Sequence, residues 1–234
     1  MPGGFYRQIK NRGLLLFVLK NKGGADTLIL FEKKENYLNS VFSMSCAFVP
    51  VTGQFHVNQM EAHILDPLLA KHQINVQPVD RTPFWWAGAD EDSFIWNTAG
   101  LRSFLSITEP LFEPIKLDKK RATFGLFDPK EKSLVVAKHN ELISYGSTCM
   151  RNLLISSIKC WIDLGMPGLS NLNVRAYPMG EELHPKPGEW LIRRNESQFI
   201  WALPKKSVNL IIMPVAENSK KEKFRSTYGS DQKC

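Results

Sequence analysis

Several features that would point directly to a chemistry are missing from this 234-residue sequence. No apolar run approaches the roughly 18 residues of a membrane-spanning helix, and Met1 is not followed by a basic segment with an apolar core. Neither membrane insertion nor export is therefore expected. No Gly-x-Ser-x-Gly turn and no Gly-x-Gly-x-x-Gly phosphate cradle occurs, because the Gly23-Gly24 pair lacks that spacing and reads as a hairpin turn.

Cysteine is scarce, and the spacing of metal ligands is absent. The four cysteines are Cys46, Cys149, Cys160 and Cys234. None belongs to a Cys-x-x-Cys pair, so buried free thiols in a reducing, cytoplasmic compartment are expected. His56, His63 and His72 are separated by intervals that do not place them on one helical turn, and the sequence therefore predicts no metal site.

The composition is that of an ordinary globular protein. Hydrophobic residues make up 43% and charged residues 23% of the chain, which is long enough for one large or two small domains. The formal net charge is +7, but the excess lysine and arginine stand in short clusters at turns and in the C-terminal tail. Such clusters are typical of solvated surface, so the charge alone does not predict an anionic partner.

The first fifty or so residues carry the clearest pattern. Three apolar runs, Leu14–Leu19, Thr27–Phe31 and Val41–Val51, are joined by short polar turns. This arrangement predicts a meander of three strands, and the unbroken runs predict strands that are buried on both faces.

The same region resembles a known family. Gln8-Ile9-Lys10, followed by Gly13-Leu14-Leu15 and later by Phe48-Val49-Pro50-Val51-Thr52-Gly53, is similar to the last strands of protein-L-isoaspartate O-methyltransferases. The resemblance implies a doubly wound α/β fold that binds S-adenosylmethionine. It extends more loosely into a C-terminal domain found in some bacterial members. The glycine-rich cofactor turn of that family has no counterpart in this chain.

Together these patterns predict an α+β protein in four segments. Residues 1–55 would be the terminal strands of a doubly wound methyltransferase sheet, and residues 56–80 a connector with helical spacing. Residues 81–215 would form a mostly antiparallel α+β domain with one long helix. Residues 216–234 are polar and read as a disordered tail.

Within the larger domain, alternation predicts an antiparallel meander over residues 122–146 and a hairpin over residues 190–203. A helix is predicted over Ser147–Leu164, with Ser147 as its N-cap, Gly165 as its C-terminal residue and Ile162 widening its apolar stripe. The segment Thr98–Glu109 fits a helix or a strand equally well.

The stretch from Phe84 to Trp96 is the least ordinary part of the sequence. It holds Trp85, Trp86 and Trp96 around the acidic residues Asp90 and Asp92, and it predicts two short aromatic strands joined by an acidic turn. The aromatic residues can form a local core cluster, or they can line a rim that holds a peptide. Nucleic acid is not expected, because the interleaved residues are acids and not lysine or arginine.

Two functional hypotheses follow. The resemblance implies the C-terminal part of an (iso)aspartyl O-methyltransferase acting on proteins or peptides, with no catalytic residue in this chain. Its candidate substrate-binding residues would be Phe48, Val49, Pro50, Trp85, Trp86, Asp90, Asp92 and Trp96. S-adenosylmethionine would belong to the complete enzyme, with none expected for this chain alone. The partners would be a peptide or protein substrate and a separate methyltransferase half, with neither nucleic acid nor membrane.

The alternative is a non-enzymatic module that binds a peptide or protein. The two hypotheses differ in the expected state of the first strand. If the chain is one part of a larger sheet, Leu14 to Val18 expose apolar surface and an open edge, and the protein needs a partner or aggregates. A stand-alone module would be monomeric and would unfold cooperatively.

Overall fold

The computed structural model describes residues 1, 3–24, 26–46, 62–84, 94–118 and 121–203. In these ranges the chain is an α+β protein with two six-stranded, mostly antiparallel sheets and few helices. The expected fold class is confirmed at this level. The division into four segments stays a prediction.

The strands of the described residues build two sheets. In chain order they are β1 (Leu14–Lys20), β2 (Asp26–Lys33), β3 (Leu38–Cys46), β4 (His63–Ile64), β5 (Asp80–Pro83), β6 (Phe112–Lys116), β7 (Ala122–Asp128), β8 (Ser133–Ala137), β9 (Glu141–Tyr145), β10 (Asn173–Pro178), β11 (Glu189–Arg193) and β12 (Ser197–Ala202). The first sheet has the order β1-β2-β3-β10-β12-β11 and is antiparallel throughout. The second has the order β4-β6-β7-β8-β9-β5, in which β4 and β6 pair in parallel.

The helices place apolar stripes against these sheets. They are α1 (Gly4–Gln8), α2 (Leu65–Lys71), α3 (Phe94–Asn97), α4 (Ala99–Thr108) and α5 (Cys149–Asp163). The segment that fitted a helix or a strand is helical, as α4. Its buried Leu101, Phe104 and Leu105 follow the i, i+3, i+4 spacing of one helix face, and that face packs into the core.

One buried cluster joins the inner face of the first sheet, helices α4 and α5, and one face of the second sheet. It includes Ile29, Phe31, Val174 and Trp201 from the first sheet, Leu105 and Leu154 from the helices, and Phe112, Phe124, Val135 and Leu142 from the second sheet. Because each fully buried large apolar side chain contributes about 1.5–3 kcal/mol, this cluster is the main source of stability.

A second cluster covers the opposite face of the second sheet. Leu65, Leu68 and Leu69 of α2 pack on alternate residues of β6 to β9, including Ile115 and Val136. Pro67 lies in the first turn of α2, where a backbone N–H has no partner within the helix, so the proline does not kink it. The second sheet is thus buried on both faces.

The long helix forms close to its predicted position, with two differences. It begins at Cys149, and its N-cap is Thr148 and not Ser147. Ile162 is 53% exposed, so its predicted place on the apolar stripe is wrong. The predicted C-terminal residue is confirmed, because Gly165 has φ +79° and its N–H donates to the carbonyl oxygen of Ile162 at 2.9 Å.

The predicted meander over residues 122–146 is confirmed as β7, β8 and β9, and the hairpin over residues 190–203 as β11 and β12. The three N-terminal strands are also confirmed as far as Cys46. The expectation that they are buried on both faces is wrong, since Leu14 and Leu16 are largely exposed. β3 pairs with β10, so the N-terminal strands share a sheet with the C-terminal ones.

Two diagonal corners of the first sheet approach each other. Arg194, at the end of β11, donates a hydrogen bond to the carbonyl oxygen of Lys20, at the end of β1, at 2.7 Å. The N-terminal segment lies at the same junction, where the N–H of Gly3 donates to Glu196 Oε2 at 2.9 Å. The right-handed twist that is usual in sheets can bring diagonal corners together.

Candidate functional site

Nearly all of the predicted substrate-binding residues fall in parts of the chain that are not described. Phe48, Val49, Pro50, Trp85, Trp86, Asp90 and Asp92 lie outside the described residues. Trp96 belongs to α3, but its side chain is not described. Their roles as substrate-binding residues stay predictions.

The residues that flank the tryptophan-rich stretch belong to the core. Phe94 is 4% exposed, and its ring stacks on that of Phe124 with the centroids 6.0 Å apart. Phe84 packs against the same cluster. The prediction of a second aromatic strand is wrong, because Phe94–Asn97 is helical. These two phenylalanines therefore favour the core-cluster interpretation over a binding rim at their own positions.

The described polar residues do not assemble a reactive centre. Lys22 Nζ lies 2.9 Å from Glu113 Oε1, and His63 Nε2 lies 3.8 Å from Glu113 Oε2. Among the described residues no three histidine, cysteine or acidic side chains converge as metal ligands. Gly23, with φ +82°, lies in a 3₁₀ turn between two antiparallel strands and faces the ring of Phe112. That turn does not fit the strand-to-helix phosphate or cofactor cradle of nucleotide-type sites.

Neither of the two free thiols among the described residues is an activated nucleophile. Cys46 and Cys160 are free, and Cys160 is exposed. Burial is the main cause that raises the pKa of both thiols, with Asp26 raising that of Cys46 further and Asp163 that of Cys160. A raised pKa leaves less thiolate at neutral pH. The expectation of buried free thiols is wrong for the exposed Cys160 and for Cys149, which is disulfide-bonded.

The feature that remains is an apolar surface on the outer side of the first sheet. We call it the apolar face, and it consists of Leu14, Leu16, Val18, Leu28, Leu30, Val41, Phe42 and Met44. Its most exposed members are Leu14 at 63%, Leu16 at 60%, Phe42 at 54%, Val41 at 52% and Met44 at 44%. These side chains expose on the order of 500 Å², which is at the upper end of the largest patches found on ordinary monomers.

The strand register explains why these residues share a face. Leu16 pairs with Leu30, which pairs in turn with Phe42, so the three side chains form one row across β1, β2 and β3. A β-bulge follows, because Phe31 pairs with Ser40 and leaves Val41 as an extra residue. The bulge turns two consecutive residues of β3 outwards, and simple alternation would have exposed only one of them.

The outer side of the same sheet is covered at its other end. On β12, Ile200 is 3% exposed, and the side chain of Gln198 donates to the carbonyl oxygen of Glu181 in the preceding loop at 2.7 Å. Arg175 of β10 forms an ion pair with Glu189 of β11. Within the described residues, comparable cover is absent from the outer side of β1 to β3.

Among the described residues of β1 to β3, the charged side chains on this side lie at the ends of the apolar face. Lys20 Nζ lies 3.9 Å from Asp26 Oδ2 at one end, and Lys34 Nζ lies 2.6 Å from Glu32 Oε2 at the other. Between these two pairs every outward-facing side chain of the three strands is apolar, and each is either exposed or half-buried. The arrangement resembles the apolar centre and polar rim of a protein–protein interface.

The chain was compared with family models, with curated proteins and with solved structures. None of them matches it. The described part of the chain also contains no helix that is long and apolar enough to cross a membrane.

Sequence patterns identified the strands that carry this face but not the face itself. The apolar runs indicate two apolar sides for each strand, and they do not indicate which side other parts of the protein cover. The bulge at Val41 has no signal of its own, because it is neither a glycine nor next to one.

Proposed function

We propose that this chain is a non-enzymatic module that binds a protein partner through the apolar face. The observation that carries the proposal is the exposure of Leu14 and Leu16 on β1 and of Phe42 on β3, each more than half exposed on the same side of the sheet. An uncharged apolar surface of this size with charged pairs at both ends favours a protein partner over a small polar ligand.

The area is sufficient for a real but modest affinity. Burying about 500 Å² of apolar surface at about 25 cal/mol per Å² contributes about 12 kcal/mol before costs. Loss of translational and rotational freedom costs about 4–15 kcal/mol, which is of the same size. We therefore expect a reversible complex unless the partner adds contacts elsewhere, for example at the edge of β1.

A second candidate is an accessory part of an (iso)aspartyl O-methyltransferase, in which the partner is a separate methyltransferase half. The sequence resemblance suggests it, and the two apolar sides of β1 favour it. A strand that is apolar on both sides is typical of the interior of a sheet covered on both faces, whereas β1 lies at an edge. S-adenosylmethionine enters no step assigned to the residues of this chain.

Site-specific photo-crosslinking tests the first proposal. A photoreactive phenylalanine analogue would replace Phe42 in the full chain inside cells, and the control would carry it at Ile162, which is equally exposed on α5. We expect the Phe42 position to give one discrete protein adduct. The substitution Leu16→Glu, in the same row of the apolar face, should abolish that adduct. The same adducts from both positions, or none from Phe42, would contradict the proposal.

Methyl transfer tests the second candidate. We expect the purified chain alone to transfer no label from S-adenosylmethionine to isoaspartyl peptide. If the adduct identified at Phe42 is a methyltransferase half, adding it should give turnover that Phe42→Glu reduces by more than about tenfold, since loss of one buried aromatic contact costs more than about 1.4 kcal/mol. Turnover by the chain alone would exclude an accessory role.

A further inference from the structure

The edge of β1 presents backbone groups that no described strand takes up. The N–H of Lys33 donates to the carbonyl oxygen of Gly13 at 2.8 Å, which fixes the hydrogen-bonding phase between β2 and β1. In an antiparallel ladder the bonded residues alternate, so Leu15, Phe17 and Leu19 bond to β2. The N–H and C=O groups of the even-numbered residues 14, 16 and 18 consequently point away from the sheet.

The other edges of the two sheets are protected in the usual ways. β4 is two residues long, β5 carries Asp80, Arg81 and Pro83, and β11 begins with Glu189 and ends with Arg193. Charges, proline and short length are the devices that prevent an edge from pairing with another chain. β1 has seven residues, and the first six of them are uncharged and apolar. Its only charge is Lys20, at the end.

The ends of β1 are basic. Arg12 is exposed just before the strand, and Lys20 at its end is 46% exposed although Asp26 lies 3.9 Å away. The carbonyl oxygen of Lys20 is already taken by Arg194, which brings a further cation to that end and limits free pairing to the stretch from Leu14 to Val18. The formal charge of the whole chain is also positive, at +7.

We propose that β1 binds an extended segment of the partner protein by strand addition, with alternating apolar side chains and acidic residues at both ends of that segment. The inference rests on the proposed function, because the apolar side chains of the added strand would extend the apolar face beyond Leu14, Leu16 and Val18. Main-chain hydrogen bonds supply affinity in this mode, and alternate side chains with terminal charges supply specificity.

A second copy of this chain fits the edge less well. Antiparallel pairing of two β1 strands about Leu16 would set Arg12 of each copy opposite Lys20 of the other. Like charges directly opposite each other on neighbouring strands are destabilising. An acid-flanked strand places opposite charges at the same two positions, so charge favours it.

The test uses the full chain and a synthetic nine-residue peptide with valine at three alternate positions, threonine between them and two acidic residues at each end. Binding is measured by fluorescence anisotropy, and amide hydrogen exchange of Leu14, Leu16 and Val18 is followed by NMR. We expect a Kd of about 10–100 µM and slowed exchange at all three amides. A peptide with lysine in place of the acids should bind at least about tenfold more weakly at low salt.

Two further variants separate backbone pairing from side-chain packing. Leu16→Pro removes the leucine side chain and also the edge-facing backbone N–H, which does not bond to β2. Leu16→Ala removes most of the side chain and keeps that N–H. We expect Leu16→Pro to lose at least about tenfold in affinity and Leu16→Ala no more than about threefold. A peptide N-methylated on the bonds that face β1 makes the same test if Leu16→Pro does not fold.

Equal affinity of the proline and alanine variants, no binding at 1 mM peptide, or a dimer of the chain that Leu16→Pro dissociates would each overturn the inference. The proposed function can fail separately. Crosslinking at Phe42 without protection of the β1 amides would leave the apolar face as the contact surface and remove strand addition. Protection of the β1 amides without crosslinking at Phe42 would support strand addition and remove the apolar face as the contact surface.

Discussion

β1 and β8 have nearly the same kind of sequence and very different surroundings. β1 reads Leu-Leu-Leu-Phe-Val-Leu-Lys and β8 reads Ser-Leu-Val-Val-Ala. All five residues of β8 are buried, because it lies between β7 and β9 and the sheet has helices on both faces. β1 lies at an edge, with only its inner side against the core. An apolar run thus indicates that a strand can be covered on both sides. The topology determines which other elements pack on each side.

The largest expected contrast comes from placing one carboxylate in each strand. Val135 of β8 is fully buried, so Val135→Asp should lower the free energy of unfolding by more than about 4 kcal/mol or prevent folding. Leu16→Asp should change it by no more than about 0.5 kcal/mol, because its side chain points to solvent. Urea unfolding followed by circular dichroism measures both, with Val135→Ala as the control for lost packing.

If Leu16→Asp destabilised the chain as strongly as Val135→Asp, the outer side of β1 would be covered within the chain itself. The apolar face would then be part of a core and could not be a partner surface. An unchanged stability combined with loss of the Phe42 adduct is the outcome that the proposed function requires.

The same contrast shows what the sequence could and could not predict. Alternation and turn residues predicted β7 to β9, and the spacing of Met150, Leu154 and Ile158 predicted α5, because those patterns reflect one covered side that the local period reveals. The pairing of β3 with β10 joins residues more than 130 positions apart, and no local pattern encodes it. The apolar face depends on that pairing, on the bulge at Val41 and on the edge position of β1.

The covered side of the first sheet can be tested through Tyr6, whose ring lies 5.8 Å from Lys33 Nζ of β2. This residue of α1 is 8% exposed and belongs to the main core, and burial raises the pKa of Tyr6 to about 12. In the unfolded chain the pKa of a tyrosine is about 10. The contribution of Tyr6 to the free energy of unfolding is therefore fully present below about pH 10, and it is lost as the pH rises from about 10 to 12. We expect Tyr6→Phe to remove part of the loss of stability above about pH 10.

Ultraviolet titration of phenolate absorbance would show the late-titrating tyrosine in the wild type and its absence from Tyr6→Phe. Tyr37, which stacks on Tyr177 and lies outside the core, provides the matched Tyr37→Phe control. A Tyr6→Phe variant with the same alkaline stability curve as the wild type would mean that α1 does not hold its phenol in the core.

The smallest expected effect concerns a protected edge. Burial acts to raise the pKa of the Asp80 carboxyl on β5, but hydrogen bonds from Thr82 and Arg151 and the charge of Arg151 lower it, and the net pKa is lowered. A lowered pKa adds stability above the unfolded value of about 3.9, and that contribution is lost as the pH falls through the folded value. Because the pair is partly exposed, Asp80→Asn should cost about 0.5 kcal/mol near neutral pH and almost nothing near about pH 2.

A double-mutant cycle with Arg151→Gln isolates this pair from other titrating groups, and urea unfolding at the two pH values measures it. A coupling energy that persists near about pH 2 would show that the contact is not ionic. Protection of an edge does not require strong pairs, because a charge that must be desolvated before another strand can dock already disfavours pairing. β5 is therefore protected against pairing at little gain in stability, whereas β1 carries no such charge between Leu14 and Leu19.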